Sequence, residues 1–86
     1  IVIRDVAPAA PVHVLMIPKA HTENIITAEP ELLLYMFGKV KELAEKLGVN
    51  EKGFRIVANT GDDGGQTVKH LHIHLLGGKA LGWPPC

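Results

Sequence analysis

In His70-Leu71-His72-Ile73-His74-Leu75-Leu76, imidazoles alternate with branched aliphatic side chains in a strict period of two. That period belongs to a β-strand with one buried and one open face. On such a strand the rings of His70, His72 and His74 share a face, with neighbours roughly 6.5–7 Å apart. Leu71, Ile73 and Leu75 then point into the core. Three of the chain's five histidines are thereby gathered on one surface.

The rest of the chain must supply that core. Eighty-six residues make a single domain spanning 1–86, close to the size at which burial becomes marginal. The longest apolar run, Leu32–Phe37, falls far short of the ~20 residues of a membrane span. Nine basic and nine acidic residues cancel, with no basic cluster to hold a nucleic-acid backbone. A small anion held by local donors remains compatible with this balance. Cys86, the only cysteine, is terminal, so no internal disulfide forms. No signal peptide is recognisable, and a cytoplasmic location is expected. The opening Ile1-Val2-Ile3-Arg4 is already strand-like and lacks a methionine, as expected where an N-terminal segment is missing.

In order, the chain reads strand, strand, helix, strand, glycine loop, strand. Ile1–Arg4 is broken by Pro8 and Pro11, and Val12–Ile17 is stopped by Pro18. His13, within that second strand, reads as a structural or surface residue, and no catalytic role is expected of it. Between Pro30 and Leu47, apolar residues at Leu33, Phe37, Val40, Leu43, Ala44 and Leu47 follow helical spacing and read as core. Pro30 suits the first turn, and Lys46 and Gly48 the last. Phe54–Asn59 is a strand. Thr60–Thr67 links it to the histidine strand through glycines that let backbone N–H groups approach an anion. This loop lacks the lysine and the spacing of a P-loop or dinucleotide fingerprint. The result is an α+β domain, an antiparallel sheet of about five strands with one long helix.

Two chemistries suit three histidines on a strand face. They can chelate zinc, with His74 or His21 as third ligand. Alternatively one neutral imidazole, with a pKa near about 6.5, attacks phosphorus and forms a phosphoramidate that water later cleaves. In that case flanking donors stabilise the non-bridging oxygens. Only the second chemistry has a use for the glycine loop. A purely structural histidine strand is the third reading.

The heptad His70–Leu76 resembles the His-φ-His-φ-His-φ-φ motif of the histidine-triad (HIT) nucleotide-binding proteins. Gly64-Gly65-Gln66-Thr67-Val68, Gly77-Gly78 and Trp83-Pro84-Pro85 resemble the HINT branch, the adenosine phosphoramidases. So does Val14–His21, a strand ending in Ile-Pro-Lys-x-His. The resemblance implies that His72 is the nucleophile toward the α-phosphorus of an adenosine 5′-monophosphate derivative. It implies that His74, Gln66 and Thr67 contact the phosphate, with threonine where serine is usual, and that Gly65 lets the backbone approach. Asn59 would lie beside phosphate and ribose. Asp5, with Val6, would accept ribose hydroxyls. His70 and His21 would orient the nucleophile.

The resemblance also implies a homodimer, with Trp83 reaching toward the partner's site, a purine nucleotide as ligand and no required cofactor or catalytic metal. A structural zinc, bound in some relatives by a segment preceding the position of Ile1, is left open, as is the base pocket that segment lines. Other readings are a dinucleoside polyphosphate hydrolase, against which the tail argues, a non-catalytic nucleotide-binding regulator, and a zinc-dependent hydrolase.

Overall fold

The computed structural model describes residues 1–83; Pro84, Pro85 and Cys86, and with them the expected proline-stiffened end of the tail, lie outside the described residues. Its elements are β1 (Val2–Arg4), β2 (Val12–Met16), α1 (Pro30–Gly38), α2 (Val40–Leu47), β3 (Phe54–Val57) and β4 (Ile73–Gly77). The strands form one antiparallel sheet in the order β1-β2-β4-β3. The expected α+β architecture is present, with four strands among the described residues where about five were expected.

The single long helix is two. Gly38 contributes low helical propensity, and Lys39 stands between the segments with φ −89° and ψ −7°. Its N–H donates to Met36 O, three residues back, at 3.1 Å. Gly48, in the left-handed region at φ 73°, closes α2, and the Val49 N–H reaches back to Ala44 O at 3.0 Å.

The histidine strand is shorter than its pattern. β2 stops at Met16, opposite Ile73, because Pro18 has no N–H to continue the ladder. Residues 70–72 therefore turn elsewhere: the Leu71 N–H donates to Thr22 O at 2.7 Å. Of the three histidines only His74 lies within β4. The alternation nevertheless survives. Leu71, Ile73 and Leu75 are 2%, 0% and 0% exposed, while His70, His72 and His74 are half-buried.

Both helices cover one face of the sheet. Val14, Leu75, Ala44 and Val49 form one part of the core, and Met16, Met36, Leu71 and Ile73 the other. Phe37, expected in that core, is instead 47% exposed. The bend turns it out of the apolar stripe, and Met36 takes the inward position.

The opposite face carries the functional groups. Paired residues of neighbouring strands share a face, so Val57, His74, Leu15 and Ile3 form one row. Arg55, Leu76 and His13 form the next, continued by Asp5, whose N–H donates to His13 O at 3.0 Å.

Candidate active site

Backbone groups set the proton positions of all five histidines. The His72 Nδ1 lies 2.8 Å from His70 O, and a carbonyl can only accept. Nδ1 therefore carries the hydrogen, and Nε2 of the neutral ring keeps its lone pair. That is the tautomer a nucleophile needs.

His74 is assigned by a chain of bonds. The Ala9 N–H donates to His13 Nδ1 at 3.0 Å, so the proton of neutral His13 sits on Nε2. From there it donates to His74 Nδ1 at 2.9 Å, with the Asp5 carboxylate 3.4 Å from the same nitrogen. His74 is left with an Nε2–H donor. Its ring stands 5.1 Å from that of His72, edge-on. Burial, then the neighbouring His72 and His13 rings, push the His74 pKa below its ordinary value, with Asp5 pulling the other way. His74 is thus held neutral, as a donor.

A second chain serves His70. Its Nε2–H donates to Pro18 O at 3.1 Å, leaving Nδ1 to accept from His21 Nδ1–H at 3.1 Å. His21 lies exposed at the outer end of this pair.

Asp5, His13 and His74 also place one oxygen and two nitrogens within 4.8 Å of one another, a spacing that can hold a metal ion. The bond from Ala9 decides between ion and relay. A neutral imidazole has a single lone pair, and that of His13 is used by the Ala9 N–H. Its Nε2 donates rather than ligates.

The loop 60–67 is braced from within. Asn59 Nδ2 donates to Gly64 O at 2.7 Å. Gln66 accepts from the Gly61 N–H at 3.0 Å and donates to Glu23 O and Val68 O at 2.7 and 3.1 Å. Gly65 takes a left-handed φ of 77° that side chains disfavour. Gly64 is packed so closely on Thr60 that a Cβ would lie 2.3 Å from its carbonyl oxygen. Thr67 is exposed at the end of this loop.

The HIT-domain family model matches residues 1–81 of this chain. The chain belongs to the HIT-domain family. An uncharacterized HIT-like protein of Synechococcus elongatus is 56% identical over 85 residues, covering 95% of this HIT-domain chain and 74% of that protein. A HIT family hydrolase of Legionella pneumophila superposes with a TM-score of 0.93 at 43% identity, over 99% of this chain and 79% of that one. A histidine triad nucleotide-binding protein of Candida albicans does so with a TM-score of 0.80 at 30% identity, over 96% and 66%.

In this HIT-domain protein the His72 and His74 rings adjoin, while the His70 and His21 rings pair with each other and reach His72 only through the His70 backbone carbonyl. Asp5 joins His74 through His13, and its other oxygen accepts from the Ala7 N–H at 2.8 Å. Val6, beside it, is fully exposed. Asn59, Gly65 and Gln66 form the adjoining loop. The Gln66 amide is engaged on both ends, so a phosphate contact from that side chain would displace one of its bonds. Trp83 stands apart, its ring 5.9 Å from the Arg55 guanidinium. His13, expected as a structural or surface residue, is buried and bonded to His74. Its spacing with Leu15 and Ile17 puts it on the open face, but only the register sets it beside His74.

Proposed function

We propose that this HIT-domain protein is a hydrolase of the HINT type, cleaving the P–N or acyl-phosphate bond of purine nucleoside phosphoramidates or aminoacyl adenylates and releasing the nucleoside monophosphate. One observation carries the reading: the His70 carbonyl holds His72 Nδ1–H at 2.8 Å and leaves Nε2 as a lone pair beside the donor ring of His74. The hydrolase likeness of the Legionella protein and the nucleotide-binding likeness of the Candida protein support it.

In the first step His72 Nε2 forms a bond to phosphorus as the P–N bond breaks, and the leaving nitrogen takes up a proton from solvent water. The developing charge on the non-bridging oxygens is met by His74 Nε2–H, with Thr67 and the loop backbone as further donors. Water then cleaves the P–Nε2 bond and restores the lone pair. Asp5 serves the ribose hydroxyls, with Val6 and Asn59 flanking the nucleoside.

The reading includes a homodimer. β3 is an edge strand, and beside it Phe37, Val40, Ala44 and Phe54 line a largely apolar groove of about 480 Å³, with Lys41, Glu45 and Asn50 completing its wall. Leu34, Tyr35 and Phe37 add exposed apolar surface of the kind that marks an association face. Trp83, 82% exposed in the single chain, is then available to the partner's site.

The deciding test is hydrolysis of an adenosine 5′-phosphoramidate bearing a fluorescent amine, by the wild type and His72→Ala, each with chelator. Turnover that survives chelator and vanishes in the variant is the expected result. Turnover abolished by chelator would convert the reading to a metal-dependent hydrolase. Binding of AMP without turnover would leave a nucleotide-binding module.

A further inference from the structure

Arg55 is the second residue of β3, the edge strand, yet it is only partly exposed. By register it stands opposite Leu76, in the row that continues through His13, so its side chain rises on the histidine face. There it meets the chain again after 26 residues. Its Nη2 donates to Gly82 O at 2.8 Å and approaches Leu81 O at 3.5 Å. The guanidinium also lies 5.9 Å from the centre of the Trp83 ring. One cation thus grips two successive carbonyls and the following aromatic ring, a combination the planar, multi-donor guanidinium suits and an ammonium matches poorly.

The tail needs such a grip. β4 ends at Gly77, and Gly78 turns the chain away at φ 87°. Residues 78–83 add no strand or helix. The ring of Trp83 remains 82% exposed although its tail is tied down. A large aromatic surface held in place and left open is suited to receive an apolar or π-bearing group.

We infer that Arg55 is a positioning residue: it latches the C-terminal segment onto the open side of the sheet and, in the proposed dimer, presents Trp83 to the partner's substrate site. This rests on the proposed hydrolase reading. Among the described residues no hydrogen bond joins Arg55 to a histidine, so its effect belongs to substrate affinity rather than to the bond-breaking step.

Trp83 is the only tryptophan in the chain, so its fluorescence reports the tail alone. The experiment compares wild type, Arg55→Lys and Arg55→Met as full-length folded proteins. It reads the steady-state fluorescence anisotropy of Trp83, and kcat and KM on the fluorogenic phosphoramidate. Loss of a charge-assisted hydrogen bond should shift the docked-to-free ratio of the tail about tenfold. Arg55→Met is then expected to lower the anisotropy of Trp83 and to raise KM about tenfold, with kcat within about threefold. Arg55→Lys, which keeps the charge, should fall between, and it carries the comparison if the methionine variant does not fold. Unchanged anisotropy in a folded variant would overturn the latch. A freed tail with unchanged KM would overturn its role in binding. If the wild type shows no turnover, the hydrolase reading fails, and with it the role of Trp83 in substrate binding; the fluorescence comparison then judges the latch alone.

Discussion

At the scale of single residues, proton placement is the property most open to measurement. Replacing His72 with Ala removes the proposed nucleophile without touching the core, and turnover should fall by at least about 10³-fold while the fold persists. A nucleotidyl adduct trapped on His72 and seen by mass spectrometry checks the same point. For His74, neighbours determine the sign. Asp5 raises its pKa, so Asp5→Asn should lower it further, read by NMR titration of the ring. The folded pKa already lies below the unfolded one. In the window beneath about 6.5 the unfolded chain therefore binds a proton that the native state refuses. Stability should be fully present above that pH and decline as pH falls toward the folded pKa. Unfolding midpoints against pH should show this slope, flattened in His74→Asn.

At the scale of elements, one glycine holds the turn that closes the histidine strand. Gly78 combines φ 87° with a space in which a Cβ would come within 3.1 Å of Pro11. Gly78→Ala should cost about 1–2 kcal/mol in denaturant unfolding, since L side chains disfavour that backbone region. The histidine segment teaches a related lesson. Its alternation correctly separates Leu71, Ile73 and Leu75 from the histidines, because side-chain period depends only on extended backbone. Its length as a strand was not legible. That depended on Pro18 ending the neighbouring strand and on Thr22, distant in sequence, accepting from Leu71. The helix shows the reverse. Its ends were readable from Pro30 and Gly48, whereas the bend at Gly38 and the outward turn of Phe37 depend on how the segments pack.

At the scale of the whole molecule, the core is small and each part counts. Ile73 is fully buried where the sheet meets α1, and Ile73→Ala should cost about 2–5 kcal/mol. Against a total stability of about 5–15 kcal/mol for a domain, that is a large fraction, visible as a marked drop in Tm. The open edge of β3 and the apolar groove beside it argue for association of two copies. Sedimentation should report a dimer, shifted toward monomer by Phe37→Glu.

Sequence by itself determined the antiparallel α+β class, the core residues of the histidine segment and the grouping of three histidines on one side. These follow from local periodicity and from the rigid preferences of proline and glycine. The family pattern was legible in the same short stretches. Tertiary structure alone decided which partner each of these side chains has: His13 for His74 across 61 positions, His21 for His70 across 49, and the Gly82 carbonyl for Arg55 across 27. A ring's tautomer is set by whichever group stands opposite its nitrogens. That group is supplied by strand register and loop closure, which no local spacing encodes.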